Sequence, residues 1–126
     1  MKIDELENII NKAFENKQTV SEKSDKKILD AINETIELTD KGNIRVAEKK
    51  DSQWQVNQWV KKAILLSFRV NSMTMSKGPY TTWYDKVPGK SVSWNEEDWK
   101  KAGYRHVPNG VVRKGSFIGK GVVLMP

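Results

Sequence analysis

The 126-residue chain has no cysteine and a single histidine. The first absence excludes disulfides and thiolate metal sites and is compatible with a reducing cytoplasm. The second excludes a multi-histidine zinc site. Proline is scarce, at 4 residues. No apolar run approaches the roughly 20 residues that cross a bilayer. The opening "MKIDELENII" mixes charge with apolar residues, unlike the core of a signal peptide. There is no low-complexity segment, and no internal repeat precedes residue 112. With 37% hydrophobic and 30% charged residues, the composition is that of one ordinary soluble domain, or a small domain with an extension.

The formal net charge is +6, from 22 basic and 16 acidic residues. Most of the cations are interleaved with acids, as in "EKSDKK" and "EEDWKK", which describes a solvated surface more than a nucleic-acid patch. Tryptophan is the unusual surplus. All 5 fall between Trp54 and Trp99, so the aromatic packing is expected in the middle of the chain.

Helical periodicity dominates the first part. Ile3, Leu6, Ile9, Ile10, Ala13 and Phe14 share a face. After the polar break "QTVSEKS", with Ser21 or Ser24 as cap, Ile28, Leu29, Ile32 and Ile36 form a second stripe that ends near Gly42. These two helices are expected to form a hairpin. "IRVAE" (44–48) reads as a strand, "KKDS" as a turn and "QWQVN" (53–57) as the return strand. A third helix, "QWVKKAILLSFRV", places Trp59, Val60, Ala63, Ile64 and Ser67 on one side. Leu65, Leu66 and Phe68 widen its apolar surface, so it is expected at the centre of the fold.

The stretch from Asn71 to Lys90 carries Gly78, Pro79, Pro88 and Gly89 and reads as loop. Ser93 and Glu96 predict a capping box for a short helix stopped by Gly103. "YRHVP" is expected to be extended, since the residue before Pro108 disfavours helix. The ending, "VRKGSFIGKGVVLMP", repeats Val112, Ile118 and Leu124 at a spacing of six, the pattern of a hexapeptide left-handed β-helix. The glycines in it lack the ending and setting of a phosphate loop and suit tight solenoid corners.

Other candidates read more plainly. Lys61, Lys62 and Arg69, interleaved with Trp59 and Phe68, match a nucleic-acid reader in residue type, but the aromatic spacing is that of a core face. His106 has no adjacent nucleophile or orienting group, so partial exposure is expected of it. Asp85 and Lys86 read as a turn with a surface ion pair.

Taken in order, "IRVAEK", "QWVKKAILLSFRVN", "YDKVPGK", "GYRHVP" and "VVRKGSFIGKGVVLMP" resemble the tetrahydrodipicolinate N-succinyltransferases of bacterial lysine biosynthesis. The resemblance implies an α+β fold: a mainly helical domain with a short β-hairpin over residues 1–105, then the first, incomplete coil of a left-handed β-helix over 106–126. It implies transfer of a succinyl group from succinyl-CoA to the cyclic dicarboxylate tetrahydrodipicolinate by a cytoplasmic homotrimer, with no nucleic acid and no membrane partner. Arg105 matches the family's dicarboxylate-binding arginine. Here it stands in "YRHVPNG", where relatives usually have two prolines and an apolar residue in place of His106. The family's CoA groove and catalytic acids lie in a longer solenoid, so this chain is expected to be an N-terminal piece. It is expected to be inactive alone, with no catalytic, cofactor-binding or metal-binding residue of its own. The alternative is a stand-alone module that self-associates through an apolar edge at Val112, Phe117, Ile118, Val122 and Leu124.

Overall fold

Three helices make the core of the computed structural model, which describes residues 1–126. Helix α1, Ile3–Glu15, buries Leu6, Ile10 and Ala13, the face its periodicity predicts. Asp4 and Glu5 in its first turn and Lys12 in its last suit the helix dipole.

Helix α2, Lys26–Asp40, departs from the expected stripe. Its buried line runs through Ala31, Ile32, Thr35 and Thr39, with Ile28 only partly buried. The threonines can be buried because the helix itself satisfies them. Thr35 Oγ1 donates to the Ala31 carbonyl at 2.7 Å, and Thr39 Oγ1 to that of Ile36 at 2.8 Å. Neither expected serine caps this helix. Ser24 Oγ accepts the Ser21 N–H at 2.9 Å and closes its own turn, and the N-cap position falls to Asp25, whose side chain makes no cap bond. The far end is as expected. Gly42, at φ +75°, and Asn43 donate to the carbonyls of Thr39 and Leu38, the paired bonds of a Schellman motif.

The first hairpin pairs β1, Ala47–Lys50, with β2, Gln53–Val56. The strand expected over 44–48 is shifted toward the turn, and Lys49 and Lys50 belong to β1. Asp51 and Ser52 both have positive φ, the two-residue I′ loop whose twist matches the flanking strands, so the loop sets the register. Asn57 then ties the hairpin to the next helix, donating to the Arg45 carbonyl at 2.7 Å and to Glu48 Oε1 at 3.1 Å. Helix α3, Gln58–Val70, packs on both α1 and α2 and buries Trp59, Val60, Ala63, Leu66 and Ser67. Leu65, expected to extend this apolar surface, is 45% exposed.

A second hairpin occupies part of the stretch read as loop: β3, Thr74–Lys77, against β4, Thr82–Asp85. Gly78 sits at its tip. The Trp83 indole lies so close that a Cβ on residue 78 would fall 2.3 Å from it. Helix α4, Glu96–Ala102, is capped by Asn95 and Asp98, two residues later than the expected Ser93 and Glu96. Gly103 stops it at φ +68°, as predicted.

The chain then crosses over itself. β5, Arg105–His106, pairs in parallel with β6, Val123–Leu124, Arg105 facing Val123 and His106 facing Leu124 at an offset of 18 residues. Between them, residues 112–114 run antiparallel to 88–90, with Lys90 N–H donating to Val112 O and Lys114 N–H to Pro88 O, each at 2.9 Å. The architecture is α+β, with a three-helix core and three separate two-stranded sheets.

Candidate substrate-binding surface around Arg105

The left-handed turn at Gly103 ends α4 and sends the chain into β5, where side chains alternate. Tyr104 and His106 turn toward Trp99, with ring centroids 5.3 and 5.9 Å away, and Trp94 completes the cluster 4.9 Å from Trp99. Arg105 falls on the other side and is exposed. Edge-to-face contacts among Trp94, Trp99 and Tyr104 are a favoured ring geometry, and they pack the side of the strand opposite Arg105.

Of the four arginines, three are engaged within the chain. Arg69 donates to the carbonyls of Val20 and Gln18, Arg113 grips Asp85, and Arg45 lies 4.7 Å from the Phe117 ring centre. Arg105 forms no side-chain hydrogen bond and no salt bridge, while its backbone N–H is held by Val122 O at 2.9 Å. The structure therefore presents a hydrogen-bonded backbone with an uncommitted guanidinium, the arrangement suited to a bidentate grip on a carboxylate.

His106 is half-buried, with Nε2 2.7 Å from the Gly110 carbonyl. That nitrogen must donate in this contact, so it offers no free base. Tyr104 is 8% exposed, and its Oη is buried without a hydrogen-bond partner. Burial, with a smaller contribution from the Asp40 charge, pushes the phenol pKa up.

A set of long-range contacts ties residues 85–90 and 113–115 to the helices. Lys90 Nζ lies 3.0 Å from Asp40 Oδ1 and 2.8 Å from the Asp40 carbonyl, and the same carboxylate accepts the Gly115 N–H at 2.8 Å. Lys114 Nζ meets Glu37 at 2.6 Å. Asp85 pairs with Arg113 rather than with Lys86, whose ammonium donates to the Phe68 carbonyl. No local signal marks these pairs, because Asp40 and Lys90 are 50 positions apart in the chain.

The cations flanking α3 are also placed. Lys62 bonds Asn11 Oδ1 at 2.8 Å and lies 5.5 Å from the Phe14 ring centre, whereas Lys61 is exposed. No helix is long and apolar enough to cross a membrane.

Comparison with known proteins bears on the whole chain. The chain is 62% identical over 125 residues to a 2,3,4,5-tetrahydropyridine-2,6-dicarboxylate N-succinyltransferase of Pelagibacter ubique, covering 97% of this chain and 46% of the relative. It is 49% identical over 124 residues to the protein of the same description from Agrobacterium fabrum, covering 96% of this chain and 44% of that one. With the protein so described in Psychrobacter sp., identity is 50% over 123 residues, 96% of this chain and 45% of the relative. The chain thus spans about half the length of the curated relatives it matches. The family described as "Tetrahydrodipicolinate N-succinyltransferase N-terminal" matches residues 5–70, just over half of the chain, and the chain therefore belongs to that family.

Proposed function

We propose that residues 1–126 supply the dicarboxylate-binding arginine and the first solenoid coil of an enzyme that succinylates tetrahydrodipicolinate from succinyl-CoA, in the diaminopimelate route to lysine. The observation that carries this reading is the free guanidinium of Arg105 on a strand paired with β6. The names of the relatives supply the substrate, a cyclic compound with two carboxylates. A fork of N–H donors binds one such carboxylate through two parallel bonds and orients the ring.

The 18-residue parallel offset between β5 and β6 supports the solenoid reading, since it equals three hexads. In this reading the helical domain covers 1–105 and the left-handed β-helix starts over 106–126. The acyl-CoA groove and the catalytic acid lie outside these residues, the assembled enzyme is a cytoplasmic homotrimer, and the chain alone is inactive. A second reading, self-association without catalysis through the edge at Val112, Phe117, Ile118, Val122 and Leu124, draws on the exposure of Phe117 and Val122, while Val112, Ile118 and Leu124 are half-buried.

A chimera tests the first reading. This chain replaces the matching part of the Pelagibacter relative, and succinyl transfer is followed by CoA release. The chimera is expected to be active, and Arg105→Lys to raise KM for the dicarboxylate by about tenfold or more with KM for succinyl-CoA unchanged. An unchanged dicarboxylate KM removes Arg105 from the site. For the second reading, size-exclusion chromatography of the 126-residue chain decides: a monomer at all concentrations rejects it.

A further inference from the structure

Asn109 is the one asparagine of the chain that precedes a glycine. It is exposed, in the turn that follows β5, and its φ is +73°, a left-handed conformation that asparagine adopts more readily than most residues. The fold favours glycine after it. A Cβ on residue 110 would lie 3.1 Å from the His106 ring and 3.1 Å from the Val107 carbonyl oxygen. The turn packed against His106 thus sets a backbone nitrogen with no side chain beside it next to an exposed carboxamide.

We propose that Asn109 is a site of spontaneous deamidation and that Tyr80 restrains the reaction. The Gly110 backbone nitrogen attacks Cγ of Asn109. A Cγ–N bond forms, the Cγ–Nδ2 bond breaks, and Nδ2 leaves as ammonia with the proton from the Gly110 nitrogen. Water, the only co-reactant, then opens the cyclic imide at either carbonyl and gives aspartate or isoaspartate. Asparagine is among the thermally labile residues. Either product puts a carboxylate into the turn after β5, four residues from the arginine that makes no side-chain bond within the chain.

Two hydrogen bonds oppose the attack. The Gly110 N–H donates to Val107 O at 3.0 Å, so the nucleophile must first leave that acceptor. Tyr80 Oη donates to Asn109 Oδ1 at 2.7 Å, so the carboxamide must also turn away from the tip of the β3–β4 hairpin. Tyr80 is 69% exposed and the bond is open to solvent, so it restrains the side chain without locking it.

The test keeps the 126-residue chain at pH 8.5 and 37 °C, in native buffer and, in parallel, unfolded in guanidinium chloride, and then cuts it with trypsin. The peptide 106–113, "HVPNGVVR", holds Asn109 as its only side-chain amide, so mass spectrometry reads its conversion directly. Aspartyl and isoaspartyl forms of this peptide are expected in the native sample ahead of conversion at any other asparagine, and more slowly than in the unfolded chain. Tyr80→Phe is expected to convert roughly threefold faster than the parent in native buffer, and at the parent's rate when unfolded. Earlier conversion at another asparagine overturns the site, as does an intact Asn109 in the native sample once the unfolded chain has converted completely. Equal native rates for the parent and Tyr80→Phe overturn the restraint, and so does an equal gain in the unfolded state.

Discussion

Lys90 and Asp40 form an ion pair shut away from solvent, with side chains only 7% and 13% exposed, and this pair joins the C-terminal end of α2 to the "PGK" turn. The Asp40 carboxylate also receives the Gly115 N–H, so one residue of the helical core holds both the "PGK" turn and the hexads. Lys90 further stands 6.0 Å from the Trp94 ring centre, which links the pair to the aromatic cluster behind β5. These contacts run from α2 through Lys90 and Trp94 to Tyr104, the residue before Arg105.

Removing one partner leaves the other buried and uncompensated. Lys90→Met is expected to destabilise the chain by about 3 kcal/mol, measured by urea denaturation. The double variant Lys90→Met, Asp40→Leu is expected to cost less than the sum of the single changes, since no stranded charge remains. Additive losses would show that the two side chains do not act as a pair.

Gly42 has two independent reasons to be glycine. Its φ is +75°, and a Cβ there would lie 2.6 Å from the Phe117 ring. Gly42→Ala is expected to cost roughly 2 kcal/mol, about 1 from the left-handed backbone and the rest from displacing the ring. In a Phe117→Ala background only the backbone part is expected to remain. An equal cost in both backgrounds would mean that the ring yields freely.

Helix periodicity and helix stops were legible in the sequence, whereas the caps of α2 and α4 were not. The stripe of α1, the span of α3 and the stop at Gly103 follow from periodicity and from glycine's access to positive φ. Thr35 and Thr39 carry no such signal, since a threonine is polar in an apolar stripe, yet each bonds back into its own helix. The hairpin β3–β4 was hidden by its glycine and proline and by strands whose side chains are almost all exposed, which gives no alternation to read. The cap of α4 falls two residues beyond the expected Ser93 and Glu96, on Asn95 and Asp98, which have the same spacing. Arg105 was legible only as a resemblance. That its guanidinium is free is a three-dimensional fact, since it depends on where every carboxylate ends up.

Acid should weaken the Asp85 contact selectively. The Lys86 backbone N–H first, and then the Arg113 guanidinium, hold the Asp85 carboxyl below the usual carboxylate range. A depressed folded-state pKa contributes stability above the unfolded value near 3.9 and loses it as pH falls through the folded value. Arg113→Gln is therefore expected to lower the melting temperature more at pH 6 than at pH 2.5. A penalty of equal size at both pH values would place the role of Arg113 in packing over Phe68, whose ring centre is 5.7 Å away.

Tyr104 gives the opposite sign at the alkaline end. Its raised pKa means that the folded chain resists losing a proton that the unfolded chain gives up near pH 10, so stability falls as pH rises above that value. The hydroxyl is also a liability at neutral pH, because it is buried with no partner. Tyr104→Phe keeps the edge-to-face packing on Trp94 and Trp99 while removing both effects. The variant is expected to be about 1 kcal/mol more stable than the parent at pH 7, and the gap to widen between pH 9 and pH 11. Chemical denaturation across that range checks both expectations. A variant less stable at pH 7 would mean that the phenol oxygen makes a contact worth more than its desolvation, and an unchanged gap at pH 11 would mean that the phenol ionises as readily in the folded chain as in the unfolded one.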